Sequence, residues 1–281
     1  MGYDPTTKWV ALFMYATQSL VAYWVADKSW WVLLTVAYVF GAVMNHSMLL
    51  CIHECSHALL FKSRKANKLF GIFLNGPMLL PASVPFARYH KEHHKYQGTE
   101  GVDVDLPTAL EARIFQGVIG KLIWVSLQGF FYTFRPMFVR PKSFTRDDAL
   151  NWVSVLTYGY VMYTLAGPGA LIYLAASDIL GMGLNPAAGH FIAEHYAFVN
   201  GYETYTSLSP MRWIIFNVNF HTAHHDFPSI PGSRLPLVRE IAWEFYKDLP
   251  VHNSYTHVIW EFITNPEMSL WKRVKRTPHE E

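Results

Sequence analysis

Three groups of histidines have the spacing of metal ligands on helices. His53 and His57 are four residues apart, and the pattern His-x-x-His-His occurs twice, at 90–94 and at 221–225. Side chains three and four residues apart share one face of a helix, so each His-x-x-His-His segment is expected to aim three imidazoles at one point. The histidines of the three groups are His53, His57, His90, His93, His94, His221, His224 and His225.

A fourth segment, His190 to His195, adds one or two further nitrogen ligands. Neutral imidazole binds zinc, iron, copper or nickel, and one such ion rarely takes more than about six ligands. Eight to ten histidines therefore predict two metal ions. A lone histidine near an apolar segment is more often a hydrogen-bonded core residue, but spaced clusters are hard to explain in that way.

The ligand types separate this site from two common metal sites. Carboxylate di-iron proteins use Glu and Glu-x-x-His pairs on four helices, and this chain lacks that pattern. A structural zinc site is closed by four ligands that usually include cysteine. An all-histidine dimetal site fits the sequence better than either.

Long apolar runs must position these histidines. Hydrophobic residues make up 51% of the 281-residue chain, and they gather in runs near the roughly 20 residues that a transmembrane helix needs. The predicted spans are 9–26, 30–52, 149–166 and 169–188. We therefore predict an all-α integral membrane protein of one domain, residues 1–281, with four transmembrane helices in two hairpins and a cytosolic helical cap that holds the dimetal site. The first run shows no cleavage site for a signal peptide.

The charge distribution predicts the orientation. Lys28 is the only basic residue in the two short links inside the hairpins, and all other Lys and Arg residues lie outside them. By the positive-inside rule, the segments that carry those residues are cytosolic, and so are all the histidine groups. The net charge of +2, without a sustained basic stripe, predicts no nucleic-acid partner.

Three polar residues lie inside the predicted spans and are candidates for the substrate channel: Asn45, His46 and Asp178. Polar groups at that depth are costly and often functional. The alternatives are a hydrogen bond between helices or a position beside the metal ligands for Asn45 and His46, and a neutral or paired structural carboxyl for Asp178.

Two redox-active irons, given O2 and external electrons, can remove hydrogen from an unactivated methylene. The cofactor then supplies the hard chemistry, and the protein positions one carbon and excludes water. A lipid chain from the bilayer is the natural substrate.

Longer phrases around the histidines narrow the possibilities. Asn45-His-Ser47, Tyr89-His-Lys-Glu-His-His-Lys-Tyr96, Gly101-Val-Asp-Val-Asp-Leu-Pro-Thr108, Gly189-His-Phe-Ile-Ala-Glu-His-Tyr196 and the segment 216–232 resemble the sphingolipid Δ4-desaturases, or dihydroceramide desaturases, of the membrane fatty acid desaturase superfamily. The resemblance runs from about Asp4 to Lys275.

The resemblance implies a trans double bond at C4–C5 of the sphingoid base of dihydroceramide, in the endoplasmic reticulum membrane. It implies electrons from NADH through cytochrome b5 and its reductase, two iron ions and O2. It makes the eight histidines iron ligands, with His195 added first and His190 second. Zinc could replace iron after overexpression, since both accept imidazole. Nearby carboxylates could accept the second ring N–H of the ligands: Glu54, Glu92, Glu194 and Asp226.

Two alternatives stay open. The same scaffold could return a hydroxyl group, giving a sphingolipid C4-hydroxylase or a bifunctional enzyme, and the ligand spacing does not separate these outcomes. A membrane metal transporter is more remote, because transporters place ionisable ligands near the bilayer midplane and often have inverted repeats.

Overall fold

The computed structural model describes residues 2–277, which are mostly helical. Strand is confined to β1 (Thr206–Ser207) and β2 (Val251–His252), which pair in parallel. The predicted helical class is confirmed apart from this short ladder. The helices are α1 (Thr7–Val25), α2 (Trp30–Val36), α3 (Ala42–Ser56), α4 (Arg64–Leu74), α5 (Ser83–Lys95), α6 (Ala109–Ile114), α7 (Gly117–Val139), α8 (Arg146–Ala166), α9 (Pro168–Gly181), α10 (Gly189–Ala193), α11 (His221–Asp226), α12 (Leu235–Ile241), α13 (Trp243–Tyr246) and α14 (Tyr255–Thr264).

The central element is the continuous helix Trp30–Ser56, in which α2 passes through a π-helical turn, Ala37–Gly41, into α3. Every residue of α3 from Asn45 to Cys55 is buried. Such burial on all sides is typical of a helix enclosed by neighbours rather than of an amphipathic surface helix. Helices α1, α4, α5 and α9 pack around it. Their enclosure fixes the position of His53 and of His57, the residue directly after α3.

The membrane prediction is supported in part. Within residues 2–277, the helix Trp30–Ser56, of mean hydropathy 1.6, is long and apolar enough to cross a bilayer. Two further spans result if each of two bent helix pairs is counted as one, 64–78 with 83–95 and 168–181 with 186–193. Helices α1 and α8 have 19 and 21 residues but do not reach that hydropathy.

The fourth predicted span, 169–188, is interrupted by a bend and is not one straight helix. Helix α9 ends at Gly181, and the chain then bends by 44° into the short helix α10. The break coincides with the segment Gly181-Met-Gly-Leu-Asn-Pro186, whose glycines are costly inside a helix and whose proline cannot continue one. The bend is what brings His190 and His195 towards the other histidines.

Polar side chains connect three of the helices inside the apolar region. The amide of Gln18 on α1 donates to Asn45 Oδ1 at 3.0 Å and accepts from the hydroxyl of Tyr173 on α9 at 3.0 Å. All three side chains are buried. Asn45 therefore makes the hydrogen bond between helices that was one of its predicted roles. Buried amides that find partners in this way specify how the helices pack.

A second core packs α7 and α14 against α10 and the segment that follows it, and we call these elements the cap. Trp124 of α7 and Phe262 of α14 are fully buried with Tyr196, which follows α10. Arg135 of α7 makes a bidentate ion pair with Glu111, with N–O distances of 2.8 and 2.7 Å. The cap is thus a packed helical layer that holds the segment after α10 in place.

Gly41 permits the close approach of α9 to the central helix, and an alanine there should destabilise the protein. A Cβ at Gly41 would lie 2.7 Å from the Tyr173 hydroxyl and 2.8 Å from Ser177 Cβ. We expect Gly41→Ala to lower the stability by about 1–3 kcal/mol, since overpacked cores cost that much, measured as the thermal unfolding midpoint in detergent. Gly159→Ala is the control, because its Cβ meets only Leu79 Cδ2, at 3.6 Å. An equal effect of both substitutions would contradict this account of the packing.

Candidate metal centre

Five histidines converge on one point between α3, α5 and α11. The Nε2 atom of His224 lies 3.0 Å from that of His53 and 3.1 Å from that of His94. The Nε2 atom of His90 lies 2.9 Å from that of His57 and 3.0 Å from that of His94. We call His53, His57, His90, His94 and His224 the five-histidine cluster.

These contacts fit a shared cation better than hydrogen bonds. A ring nitrogen of neutral imidazole either donates or accepts one hydrogen bond, but the Nε2 atoms of His90, His94 and His224 each face two other nitrogens. Two nitrogens that bind one metal ion at right angles, each ~2.1 Å from it, are about 3.0 Å apart. The observed spacing therefore matches a ligand shell.

Four further histidines form a second group, the four-histidine cluster: His93, His195, His221 and His225. The Nε2 atom of His195 lies 3.0 Å from that of His93 and 2.9 Å from that of His221. His225 Nε2 is buried with no hydrogen-bond partner among the described residues. The two clusters are neighbours, since the rings of His94 and His225 stack with centroids 4.3 Å apart.

Each His-x-x-His-His segment divides its ligands between the two clusters, so the expectation of three imidazoles at one point is wrong. On α5, His90 and His94 face the five-histidine cluster and His93 faces the other. On α11 the division is reversed, because His221 and His225 face the four-histidine cluster and His224 crosses to the other. The physical reason is helical rotation. Successive residues are about 100° apart around the axis, so adjacent histidines cannot point at the same centre.

In two of the histidines, the ring nitrogen that points away from the cluster makes a hydrogen bond that determines the tautomer. His93 Nδ1 donates to Asp103 Oδ1 at 3.0 Å, and His195 Nδ1 donates to the carbonyl of Glu203 at 3.1 Å. Both bonds leave Nε2 unprotonated and directed at the cluster, which is the usual arrangement around metal-bound histidines. Asp103 is itself held by the backbone N–H groups of Gly98 and Asp105.

The electrostatics of the site favour neutral imidazole except at His93, where burial lowers the pKa but Asp103 and Asp105 together raise it above its usual value. Burial, and the neighbouring histidines, hold the pKa values of His221, His224 and His225 well below the usual value. Burial alone would raise the pKa of Asp103, but His93 and Arg273 together hold it below its usual range. Ring nitrogens without protons beside a fixed carboxylate are the form of the site that binds a metal ion.

Two of the four carboxylates predicted to support the ligands do something else. Glu92 pairs with Arg140 and Lys142, each at 2.8 Å. Asp226 accepts a hydrogen bond from the hydroxyl of Tyr246 at 2.6 Å. Both predictions are wrong, because a carboxylate next to a ligand in sequence points to another side of its helix.

The other two carboxylates lie near ligands. Glu54 Oε1 is 3.7 Å from His53 Nδ1, while its Oε2 accepts the N–H of Gly232 at 2.9 Å. Glu194 Oε1 is 3.4 Å from His221 Nδ1. His53-Glu-Cys-Ser-His57 also has the His-Glu-x-x-His spacing of zinc metalloproteases, but Glu54 is tied to the backbone of Gly232 and the cluster has five histidines.

The sequence analysis missed Asp103 and Arg273. Asp103 lies ten residues after His93, in the Gly-Val-Asp-Val-Asp segment, which the sequence analysis used only for the family resemblance. Arg273 is buried near the C-terminal end and donates to the carbonyl of Asp105 at 3.1 Å. An acidic residue in a turn after a histidine cluster was the available signal for Asp103. Nothing local marks Arg273.

His190 belongs to neither cluster. Its Nδ1 atom lies 2.7 Å from His46 Nε2, and His46 Nδ1 lies 3.0 Å from the carbonyl of Gly181. The pair is buried between α3 and α10. His46 thus supports His190, and the metal-ligand prediction for His190 finds no support in this arrangement.

Both clusters face one apolar cavity of about 530 Å³. Its lining includes histidines of each cluster together with His190 and Glu194, and apolar side chains such as Phe86 and Phe134. Asp178 lines a smaller cavity of about 190 Å³, whose walls share Met78, Thr133 and Met182 with the large one. A mostly apolar cavity of this size with a few polar groups is typical of a ligand site.

Comparisons with known proteins agree with this geometry. The family model for fatty acid desaturases matches residues 28–256. The chain is 49% identical to a sphingolipid delta(4)-desaturase DES1 of Drosophila melanogaster, over 98% of this chain and 86% of the relative. It is 46% identical to a sphingolipid delta(4)-desaturase/C4-monooxygenase DES2 of Rattus norvegicus, over 97% and 85%. It is 45% identical to the DES1 of Homo sapiens, over 97% and 85%.

The division of the ligands predicts how metal content responds to paired substitutions. His93→Ala combined with His225→Ala removes two ligands of one cluster and should lower the content from two ions to one. His93→Ala combined with His94→Ala removes a ligand from each cluster and should lower it further. Elemental analysis of the purified variants measures this, with His257→Ala, whose side chain is 70% exposed, as control. The same content in both double variants would contradict the assignment.

Asp103 should support the metal ion of the four-histidine cluster from outside. We expect Asp103→Asn to weaken metal binding there by about 10–100-fold, as lost carboxylate support for a histidine ligand does. Retention of metal against a graded chelator measures the change. Asp27→Asn removes an exposed carboxylate that pairs only with neighbouring Lys28 and should have no effect. Unchanged retention in Asp103→Asn would show that His93 needs no such support.

Proposed function

This chain belongs to the fatty acid desaturase family, and we propose that it converts dihydroceramide to ceramide by introducing the trans double bond between C4 and C5 of the sphingoid base. One observation carries the proposal: two histidine clusters, of five and four rings, face one apolar cavity of about 530 Å³. The named activities of the similar desaturases select the sphingoid base among lipid substrates.

The nine histidines would hold two iron ions. Bound there, the irons would supply the activation of O2, with two electrons from outside. The overall reaction then removes two hydrogens from the lipid and yields two molecules of water. The donor set fits this assignment, because imidazole nitrogens suit iron and the buried Nε2 atom of His225 has no hydrogen-bond partner in the described part of the chain.

The chain's own residues orient the lipid and keep water away. Phe86 stacks on His90, with ring centroids 4.8 Å apart, and it lines the cavity beside the clusters. Apolar walls hold the methylene chain without a directional bond, so they exclude water while the polar groups of the lipid set its depth.

The membrane arrangement is part of the proposal. We place α1, the helix Trp30–Ser56, α8 and α9 across the endoplasmic reticulum membrane, with the histidine clusters and the cap on the cytosolic side. Support comes from exposed apolar side chains on α1 and α8, among them Trp9, Phe13, Leu156 and Tyr160. Such side chains are unusual on helices that face water.

The electrons would come from NADH through cytochrome b5 and its reductase. The basic residues outside the hairpins, among them Lys62, Arg64 and Lys65, lie on the side that we assign to the cytosol. An acidic electron carrier would be steered to such a surface.

Conversion of labelled dihydroceramide tests the proposal. Microsomes that contain this chain, with NADH and air, should produce ceramide, and His93→Ala should reduce the product by at least about 100-fold, as the loss of a metal ligand or of its support does. Mass spectrometry separates the outcomes. Loss of two hydrogens supports desaturation, whereas gain of one oxygen alone would assign the chain to C4-hydroxylation.

A further inference from the structure

We propose that His190 and Glu194 each accept one hydrogen bond from the sphingoid base, whose donors are the amide N–H and the neighbouring C3 hydroxyl. We call this pair of side chains the seat. The inference rests on the proposed function and names the residues that select its substrate. The two side chains are four residues apart on α10 and its end, and both line the large cavity.

The hydrogen bonds of His46 determine which nitrogen of His190 is free. His46 Nδ1 must donate to the carbonyl of Gly181, at 3.0 Å, so His46 Nε2 carries no proton in the neutral ring. The 2.7 Å contact then requires His190 Nδ1 to be the donor. His190 Nε2 is consequently unprotonated and available as an acceptor.

Glu194 supplies the second acceptor. Its Oε1 atom lies 3.4 Å from His221 Nδ1, and its Oε2 atom is the oxygen that lies beside His190 and is offered to the lipid. Asp148, another acidic residue of the cavity wall, is committed, since it accepts from Arg88 and Thr145. A carboxyl offers an acceptor oxygen whether or not it is protonated. A buried acceptor without a partner is costly unless a ligand satisfies it.

The spacing of the two acceptors fits the substrate. His190 Nε2 and Glu194 Oε2 are 3.9 Å apart, which is too long for a direct hydrogen bond. The nitrogen on C2 and the oxygen on C3 of a dihydroceramide sit on neighbouring carbons, about 3 Å apart when gauche. Each can therefore donate to one of the two acceptors at an ordinary hydrogen-bond length.

The position of Glu194 determines the orientation in which the lipid binds to the seat. Glu194 Oε1 is 3.4 Å from His221 of the four-histidine cluster, whereas His190 is turned towards His46. The hydroxyl on C3 is therefore assigned to Glu194 and the amide N–H to His190. Because C4 is bonded directly to C3, this orientation delivers C4 and C5 next to the four-histidine cluster.

A crossed set of variants and substrates tests the seat. The substrates are dihydroceramide, its 3-deoxy analogue and an analogue with an ester oxygen in place of the amide N–H. For the unmodified protein we expect each change to raise KM by about tenfold, since each removes one hydrogen bond to a buried acceptor. Glu194→Met should abolish discrimination against the 3-deoxy analogue and retain it against the ester, and His190→Phe should do the reverse.

Equilibrium binding of the same labelled lipids to the purified protein gives a readout that does not need turnover, and metal content checks that each variant keeps its clusters. Glu267→Gln, an exposed carboxyl outside the cavity, is the matched control and should keep both discriminations. If either seat variant retains discrimination for its own group, or if both lose the two discriminations together, the seat is wrong. If the unmodified protein binds and converts no dihydroceramide, the proposed function fails instead.

Discussion

The structure depends on the close approach of nine imidazole rings, whose nitrogens carry too few protons for all of them to hydrogen-bond with one another. Nε2 atoms that each face two others, at 2.9 to 3.1 Å, cannot all be hydrogen-bonded, and this arrangement is compatible with a metal site. Folding around α3 provides the enclosure. Its end is buried by α4 and α5, and α11 closes over it from the C-terminal part of the chain.

Helix geometry, not sequence proximity, decides which ligand serves which centre. Two short helices, α5 and α11, each send one imidazole to one cluster and two to the other, in opposite senses. Each helix thereby bridges both centres, and a displacement of either would disturb both. The supports outside the ligands also come from far away in sequence, since the loop at Asp103 is held by Arg273 from near the C-terminal end. This coupling explains why a site at one end of the helices depends on nearly the whole chain.

The sequence predicted the parts that local spacing controls. Histidine spacing predicted eight of the nine cluster members, and the segment 190–195 added His195 together with His190, which belongs to neither cluster. Apolar runs located α1, the helix Trp30–Ser56 and α8 to within a few residues. Other features depended on tertiary contacts. The bend after Gly181 follows from glycines and a proline inside an apolar run, and hydropathy does not register them. Glu92 and Asp226 were placed by adjacency to ligands, but the rotation of a helix turns neighbours away from each other. Asp103 was not predicted, because it lies in a loop whose burial is visible only in the folded structure.

The cavity combines apolar walls with polar residues at one end. This combination explains how the protein could select one pair of methylene groups in the long, uniform hydrocarbon chain of a lipid. Successive CH2 groups look alike to Phe86 or Phe134, and dispersion contacts change little when the chain slides by one carbon. Hydrogen bonds are directional and are lost by such a slide, because a buried acceptor is then left unpaired. With the seat at His190 and Glu194, the reacting carbons are counted from the polar end of the lipid. The position of the double bond is then independent of the length of either hydrocarbon chain, which the apolar walls can accept without selecting.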